Sequence, residues 1–124
     1  MSLHESAEMY LETIYTLSLT NGSVRSIDVA EALNYSRPSV SRAVGLLRKD
    51  GYLTVDGDGF LILTEQGTAA AEKIYERHTI LTEALMALGV DRVAATEDAC
   101  KIEHDISDKT FEAIKAHMAI YMSK

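Results

Sequence analysis

The sequence predicts a mainly α fold: a winged helix-turn-helix lobe over residues 1–64, followed by an α-helical lobe over residues 65–124. Three observations predict it. Six segments carry helix-start signals or apolar residues at helical spacing. Between the third and fourth, Asp56-Gly57-Asp58-Gly59 joins two short apolar runs, a strong hairpin signal. The third segment, directly before that hairpin, is basic.

The elements follow in order. Over about residues 5–19, Ala7, Tyr10, Leu11, Ile14 and Leu17 form an apolar stripe, and Asn21-Gly22 ends the helix. Ser26 is expected to cap a short second helix, with Asp28 in its first turn and Ile27, Ala30 and Leu33 as its apolar positions. Asn34-Tyr35 makes a tight turn. Ser36 then caps a third helix with Pro38 in its first turn, where a missing N–H costs nothing. Val40, Ala43, Val44 and Leu47 are its core face, and Asp50-Gly51 stops it. Residues 52–55 and 60–63 read as the two strands of the hairpin. Thr64 caps a long fourth helix, lined by Ala71, Ile74, His78, Leu81 and Leu85 and ended by Gly89. Asp91 or a neighbour starts a fifth helix. Ser107 caps a sixth, in which Phe111, Ile114, Met118 and Tyr121 repeat on one face. Two short helices, a recognition-type helix and a hairpin, in that order, are a winged helix-turn-helix.

A length of 124 residues suits one compact unit or two small lobes sharing a helix. Apolar content of 47 % with a single proline indicates a globular chain. No apolar run approaches the roughly 18 residues of a membrane span, and no signal peptide is apparent. The expectation is a cytoplasmic protein with no membrane partner. Met1-Ser2-Leu3 reads as a cloning scar. The single cysteine forms no intrachain disulfide. A net charge of −7 argues against indiscriminate nucleic-acid binding. The third helix runs the other way, with Arg37, Arg42, Arg48 and Lys49 against Asp50 alone.

With its core face inward, the third helix presents Pro38, Arg42, Gly45 and Lys49, flanked by Ser39 and Ser41. Arg42 can pair with guanine, and Pro38 and the serines can touch thymine methyls or phosphates. Arg48, Lys49 and the wing would hold the backbone. Ser36, Arg37, Pro38, Ser39, Ser41, Arg42, Arg48 and Lys49 are therefore the candidate residues for a double-stranded DNA operator. The bland alternative is a solvated basic helix used for protein contacts.

Cys100-Lys101-Ile102-Glu103-His104 is the other chemical signal. Positions i, i+3 and i+4 share a helix face, so Cys100, Glu103 and His104 would aim a thiolate, a carboxylate and an imidazole at one point. Thiolate beside carboxylate and imidazole favours Fe(II), Co(II), Ni(II) or Zn(II), whereas carboxylates alone would favour Mn(II) or Mg(II). His78, on the stripe of the fourth helix, is a core histidine or a further ligand. Met9 and Glu12, neighbours on the first helix, point away from its stripe and could face the second lobe. His4 and His117 read as surface residues. No second acid/base set and no Gly-rich phosphate loop accompany the cluster, so an enzyme is not expected.

Residues 8–15 (EMYLETIY), residues 98–104 (DACKIEH), residues 106–108 (ISD), the stretch 36–41 (SRPSVS), the wing and Arg77-His78 match the diphtheria-toxin-repressor and manganese-transport-regulator family in order and spacing. The chain resembles that family over nearly its whole length. The resemblance implies a homodimeric, metal-activated repressor of metal-uptake genes, dimerising through its C-terminal helices, with Mn(II) or Fe(II) as cofactor and Co, Ni or Zn able to bind in vitro. Met9, Cys100, Glu103 and His104 match the primary site of the iron-responsive branch. Glu12 and His78 match ligands that the manganese-responsive branch adds. Thr82 and Thr96 stand where the iron branch's ancillary site has Glu and His. Met9 and Cys100 stand where the manganese branch has Asp and Glu. The chain also ends without the SH3-like third domain of the iron branch.

These placements make the metal a clasp between a DNA-reading lobe (Met9, Glu12) and a dimerising lobe (Cys100, Glu103, His104), with His78 on the joining helix. Such a clasp would set the spacing of the two recognition helices in a dimer. The Phe111, Ile114, Met118, Tyr121 stripe is the expected dimer surface, or else it covers its own subunit's core. The competing function is a winged-helix regulator that senses an organic ligand or a redox change at Cys100.

Overall fold

The computed structural model describes residues 5–122. His4 and the Met1-Ser2-Leu3 start lie outside the described residues. The elements are α1 (Glu5–Asn21), α2 (Ser26–Leu33), α3 (Arg37–Lys49), β1 (Leu53–Val55), β2 (Leu61–Leu63), α4 (Glu65–Ala87), α5 (Arg92–Ile102) and α6 (Asp108–Met122). They form two compact units, Met1–Glu72 and Lys73–Lys124. Among the described residues no helix is long and apolar enough to cross a membrane.

In the first unit the expected stripes meet in one core. Tyr10, Leu11 and Ile14 of α1 pack with Val29 and Ala30 of α2, Val40, Val44 and Leu47 of α3, and Leu53 and Leu61 of the hairpin. Burying each large aliphatic side chain here contributes about 1.5–3 kcal/mol. The register of α2 differs from expectation. Its cap is Arg25, in extended conformation, and the Asp28 carboxylate accepts from the Arg25 N–H at 2.8 Å. Ser26 is thus the first residue of the helix, and Val29 fills the core while Ile27 is exposed. The left-handed Asn34 closes α2, as its turn chemistry requires. Ser36 Oγ accepts from the Ser39 N–H at 3.3 Å and starts α3 as expected.

The wing pairs Leu53 with Leu63, Thr54 with Ile62 and Val55 with Leu61, antiparallel. Both strands are shorter than the sequence suggests. The Tyr52 N–H turns back to Leu47 O (2.9 Å), so Tyr52 closes α3 rather than opening β1. Phe60 instead pairs with Arg25 in an isolated bridge, and the Leu61 N–H donates to Val24 O at 2.7 Å. Asp56 Oδ1 accepts from the Asp58 and Phe60 N–H groups, both at 2.9 Å, which fixes the hairpin loop. Thr64 Oγ1 accepts from the Gly67 N–H at 3.1 Å and starts α4. Only glycine fits at 67: an added Cβ would lie 1.8 Å from Tyr52 O.

In the second unit Ile74, Leu81, Ala95, Ala99, Phe111 and Met118 are buried. Asp91 caps α5, accepting from the Ala94 N–H at 3.1 Å, and Ser107 caps α6, accepting from the Thr110 N–H at 3.1 Å. Two expectations are refined. First, α5 ends at Ile102 with Glu103 as its C-cap, so Glu103, still helical in backbone, keeps its place one turn after Cys100, while His104 lies in the turn beyond. The Asp105 and Ile106 N–H groups both turn back to Ile102 O, at 2.9 and 3.2 Å, and Ser107 is already committed to α6. Second, the α6 stripe is split. Phe111 and Met118 are buried within this subunit, so they are not open to a partner, while Tyr121 is exposed. Among the described residues of this unit, the exposed large apolar side chains are Tyr75, Leu88, Val93, Ile120 and Tyr121.

Candidate metal centre and nucleic-acid interface

The candidate nucleic-acid face lies on the first unit. Ser36, Arg37, Pro38, Ser41, Arg42, Arg48 and Lys49 are all exposed along α3, and Ser39 is half-buried under the Ser36 hydroxyl. A cavity of about 310 Å³ lies against this helix, lined by Ser26, Ile27, Arg37, Val40 and Ser41. Its rim is basic and hydroxylated, as a phosphate contact requires. Arg25 extends the face beyond the predicted set: its guanidinium stacks on Phe60 at 4.5 Å, which fixes a cation at the base of the wing. Sequence reasoning missed it because the bridge to Phe60 is a long-range pairing with no local signal.

Met9 and Glu12, on α1 of this unit, are half-buried. The Tyr35 hydroxyl donates to Met9 Sδ at 3.6 Å, and the Tyr35 ring meets Tyr10 edge-on, with centroids 5.9 Å apart. Burial and the neighbouring Tyr35 raise the Tyr10 phenol above its ordinary range, and the charge of Arg42 opposes them.

The metal-centre candidates of the second unit converge around Glu103. This residue keeps a helical backbone (φ −57°, ψ −25°) as the C-cap of α5, and its N–H still donates to Ala99 O at 2.9 Å. Its side chain and that of His104 are fully buried. Glu103 Oε2 lies 2.9 Å from His78 Nδ1, and Oε1 lies 3.3 Å from His104 Nε2. Oε1 makes no hydrogen bond among the described residues. Cys100 sits one turn earlier on α5, half-buried. The structure thus brings His78, Glu103 and His104 together.

Arg77 holds this turn in place. It is buried and donates to Glu103 O at 3.1 Å, to Ile106 O at 3.0 Å and to the Asp108 carboxylate, with its guanidinium 5.3 Å from the Phe111 ring centroid. The signal for it was present: Arg77 falls between Ile74 and Leu81 on the apolar stripe of α4, a position where an unpaired cation would be costly. Among the described residues its polar contacts are with backbone carbonyls and Asp108, not with the Glu103 carboxylate. The ammonium of Lys73 and then Arg77 hold Asp108 below the usual carboxylate range.

A carboxylate at full burial is costly unless a cation meets it. Here it meets two imidazoles and has one oxygen unbonded, with a thiol one turn away. That donor set fits a divalent transition metal. The ancillary positions do not add a second such set. The Thr82 hydroxyl is buried and donates to His78 O at 2.7 Å, and Thr96 is exposed. Both line an open cavity of about 480 Å³ that also takes in His78, Glu83, Arg92 and Met118.

Two family descriptions match this chain consecutively. The iron dependent repressor N-terminal DNA binding domain covers residues 2–61, and the iron dependent repressor metal binding and dimerisation domain covers residues 64–120. The chain belongs to the iron-dependent repressor family. It is accordingly a DNA-binding transcriptional regulator of the metal-dependent type, with a winged-helix domain followed by a metal-binding and dimerisation domain. It is 33 % identical over 124 residues to an HTH-type transcriptional regulator of Methanocaldococcus jannaschii, covering 98 % of this chain and 99 % of the relative. It is 38 % identical over 109 residues to the HTH-type transcriptional regulator MntR of Listeria welshimeri, covering 88 % of this chain and 77 % of the relative. Among solved structures, the manganese regulator SloR superposes with a TM-score of 0.80 at 28 % identity, covering 96 % of this chain and 55 % of the other. A manganese-dependent transcriptional repressor in complex with manganese superposes at 0.83 and 26 % identity, covering 91 % and 52 %. This chain therefore spans about half the length of those two solved regulators. The organic-ligand and redox alternative is not favoured by these relatives.

Proposed function

We propose that the protein is a cytoplasmic, homodimeric repressor of manganese or iron uptake genes that binds its operator when Mn(II) or Fe(II) is bound, and that it is not an enzyme. The proposed ligands are His78, Cys100, Glu103 and His104 of the second unit, with Met9 and Glu12 supplied by α1 of the first. The proposed DNA-binding residues are Ser36, Arg37, Pro38, Ser39, Ser41, Arg42, Arg48 and Lys49. The observation that carries the metal reading is the fully buried Glu103 carboxylate, set between two imidazoles with one oxygen unbonded.

The residues divide the work. A divalent cation, when bound, would supply positive charge to the Glu103 carboxylate and its unbonded oxygen. Arg77 holds the backbone carbonyls of the Glu103 turn, so the carboxylate is presented in one orientation. Met9 and Glu12 are carried by the same core that seats α3, so ligation at α1 bears on the recognition helix through Leu11 and Ile14. Metal and operator should then bind with reciprocal positive coupling, of about 1–3 kcal/mol.

Equilibrium dialysis with Mn(II) tests the site. Glu103→Ala should lose Mn(II) while keeping the helical circular-dichroism spectrum. A variant that folds and still binds Mn(II) as the wild type does would place the site elsewhere. Glu103→Gln should, in addition, leave the metal-free protein at least as stable, because it removes a buried charge while nearly keeping the shape.

A further inference from the structure

Tyr35 joins the two chemistries of the first unit. Its hydroxyl donates to the sulfur of Met9, a proposed metal ligand, at 3.6 Å. Its ring is held edge-on against buried Tyr10. It is 44 % exposed and directly precedes Ser36, the cap of the recognition helix. The ring is thus fixed, the hydroxyl is on the solvent side, and one rotation about the C–O bond redirects its proton.

A thioether is a weak acceptor. Once its electron pair is given to a divalent cation it is weaker still, and the cation's charge repels the hydroxyl proton. We propose that Tyr35 is a positioning residue for metal-gated DNA binding. Its hydroxyl is held on Met9 Sδ in the metal-free protein, is released when Met9 ligates the metal, and is then free to donate to a DNA phosphate beside the N-terminus of α3. This inference rests on the reading of Met9 as a ligand. Its direction is unusual: the hydroxyl opposes metal binding and favours DNA binding, so its removal shifts the two affinities in opposite directions.

The test uses the full-length Tyr35→Phe and Met9→Leu variants, with Mn(II) as the metal probe and a duplex selected from random sequence by Mn(II)-loaded wild-type protein. Phenylalanine keeps the ring contact with Tyr10, so a folded variant is expected, and its melting curve checks this. In the absence of DNA, Tyr35→Phe should bind Mn(II) about two- to fivefold more tightly, the equivalent of one weak hydrogen bond. At saturating Mn(II), the same variant should bind the duplex about three- to tenfold more weakly, for one lost phosphate contact. Met9→Leu should weaken Mn(II) binding. If Met9→Leu leaves Mn(II) affinity unchanged, Met9 is not a ligand and the inference falls with that reading. If Met9→Leu weakens Mn(II) binding but Tyr35→Phe leaves it unchanged or weaker, the ligand reading stands and the hydroxyl switch is overturned. Unchanged duplex affinity in Tyr35→Phe also overturns it.

Discussion

The recognition helix α3 and the Glu103 turn place their polar chemistry in opposite ways. Along α3 the reactive groups face outward, Ser36 completes the cap, and Val40, Val44 and Leu47 bury the other side. The helix is satisfied as it stands and needs no further group to hold its shape. At the Glu103 turn the reactive groups face inward, and a fully buried carboxylate has one oxygen without a hydrogen bond. The reading head is complete by itself, whereas the sensor is electrostatically incomplete. On the proposed reading the unmet demand for positive charge lies in the second unit, Met9 and Glu12 of the first complete the ligand set, and selectivity for DNA rests with the first.

Substitutions that separate the two regions test this contrast. The largest effect is expected at Arg77. Arg77→Lys keeps a charge but cannot bridge two carbonyls and Asp108 together. It should destabilise the second unit by about 1–3 kcal/mol and weaken Mn(II) binding. Denaturant melts and Mn(II) titration check this, and unchanged Mn(II) affinity would remove Arg77 as the holder of the turn. Arg42→Ala should do the reverse. It should cost about 1–3 kcal/mol of operator binding and relax specificity at one base pair, with Mn(II) affinity unchanged. An affinity loss equal for all sequences would make Arg42 a phosphate contact instead. Cys100→Glu replaces a soft ligand with a hard one and should move the metal ranking toward Mn(II) over Zn(II). The same ranking before and after would take Cys100 out of the site. The smallest effect is expected at Asp108. Its folded-state pKa lies below its unfolded value, so its stabilisation is present above the unfolded value and is lost as pH falls through the folded one. Asp108→Asn should lower the melting temperature slightly near pH 6, and the difference should vanish in acid. A difference that persists in acid would mean Asp108 acts as a helix-start residue rather than through its charge.

Much of the fold was legible because its signals are local. Ser36, Thr64, Asp91 and Ser107 each act within three residues, and each caps the helix expected of it. The errors arose where a distant group wins. Arg25 caps α2 because Phe60 pairs with it from the wing, and the expected Ser26 cap is displaced by one residue. At the metal centre the residue types, the one-turn spacing of Cys100 and Glu103, and His78 as a further ligand were readable; what was not is that α5 ends at Ile102, which leaves His104 in a turn against the Glu103 carboxylate. Arg77 was visible only as a cation on an apolar stripe, since its carbonyl partners lie 26 and 29 residues away.

The measurement that bears most directly on the account is operator binding by fluorescence anisotropy, titrated with Mn(II), Fe(II), Zn(II) and then chelator. It must be run without oxygen and under reducing conditions, because oxidation of Cys100 would mimic loss of metal. The account predicts tight, specific binding with Mn(II) or Fe(II) that collapses on chelation and returns on re-addition. Operator affinity indifferent to the chelator would contradict it.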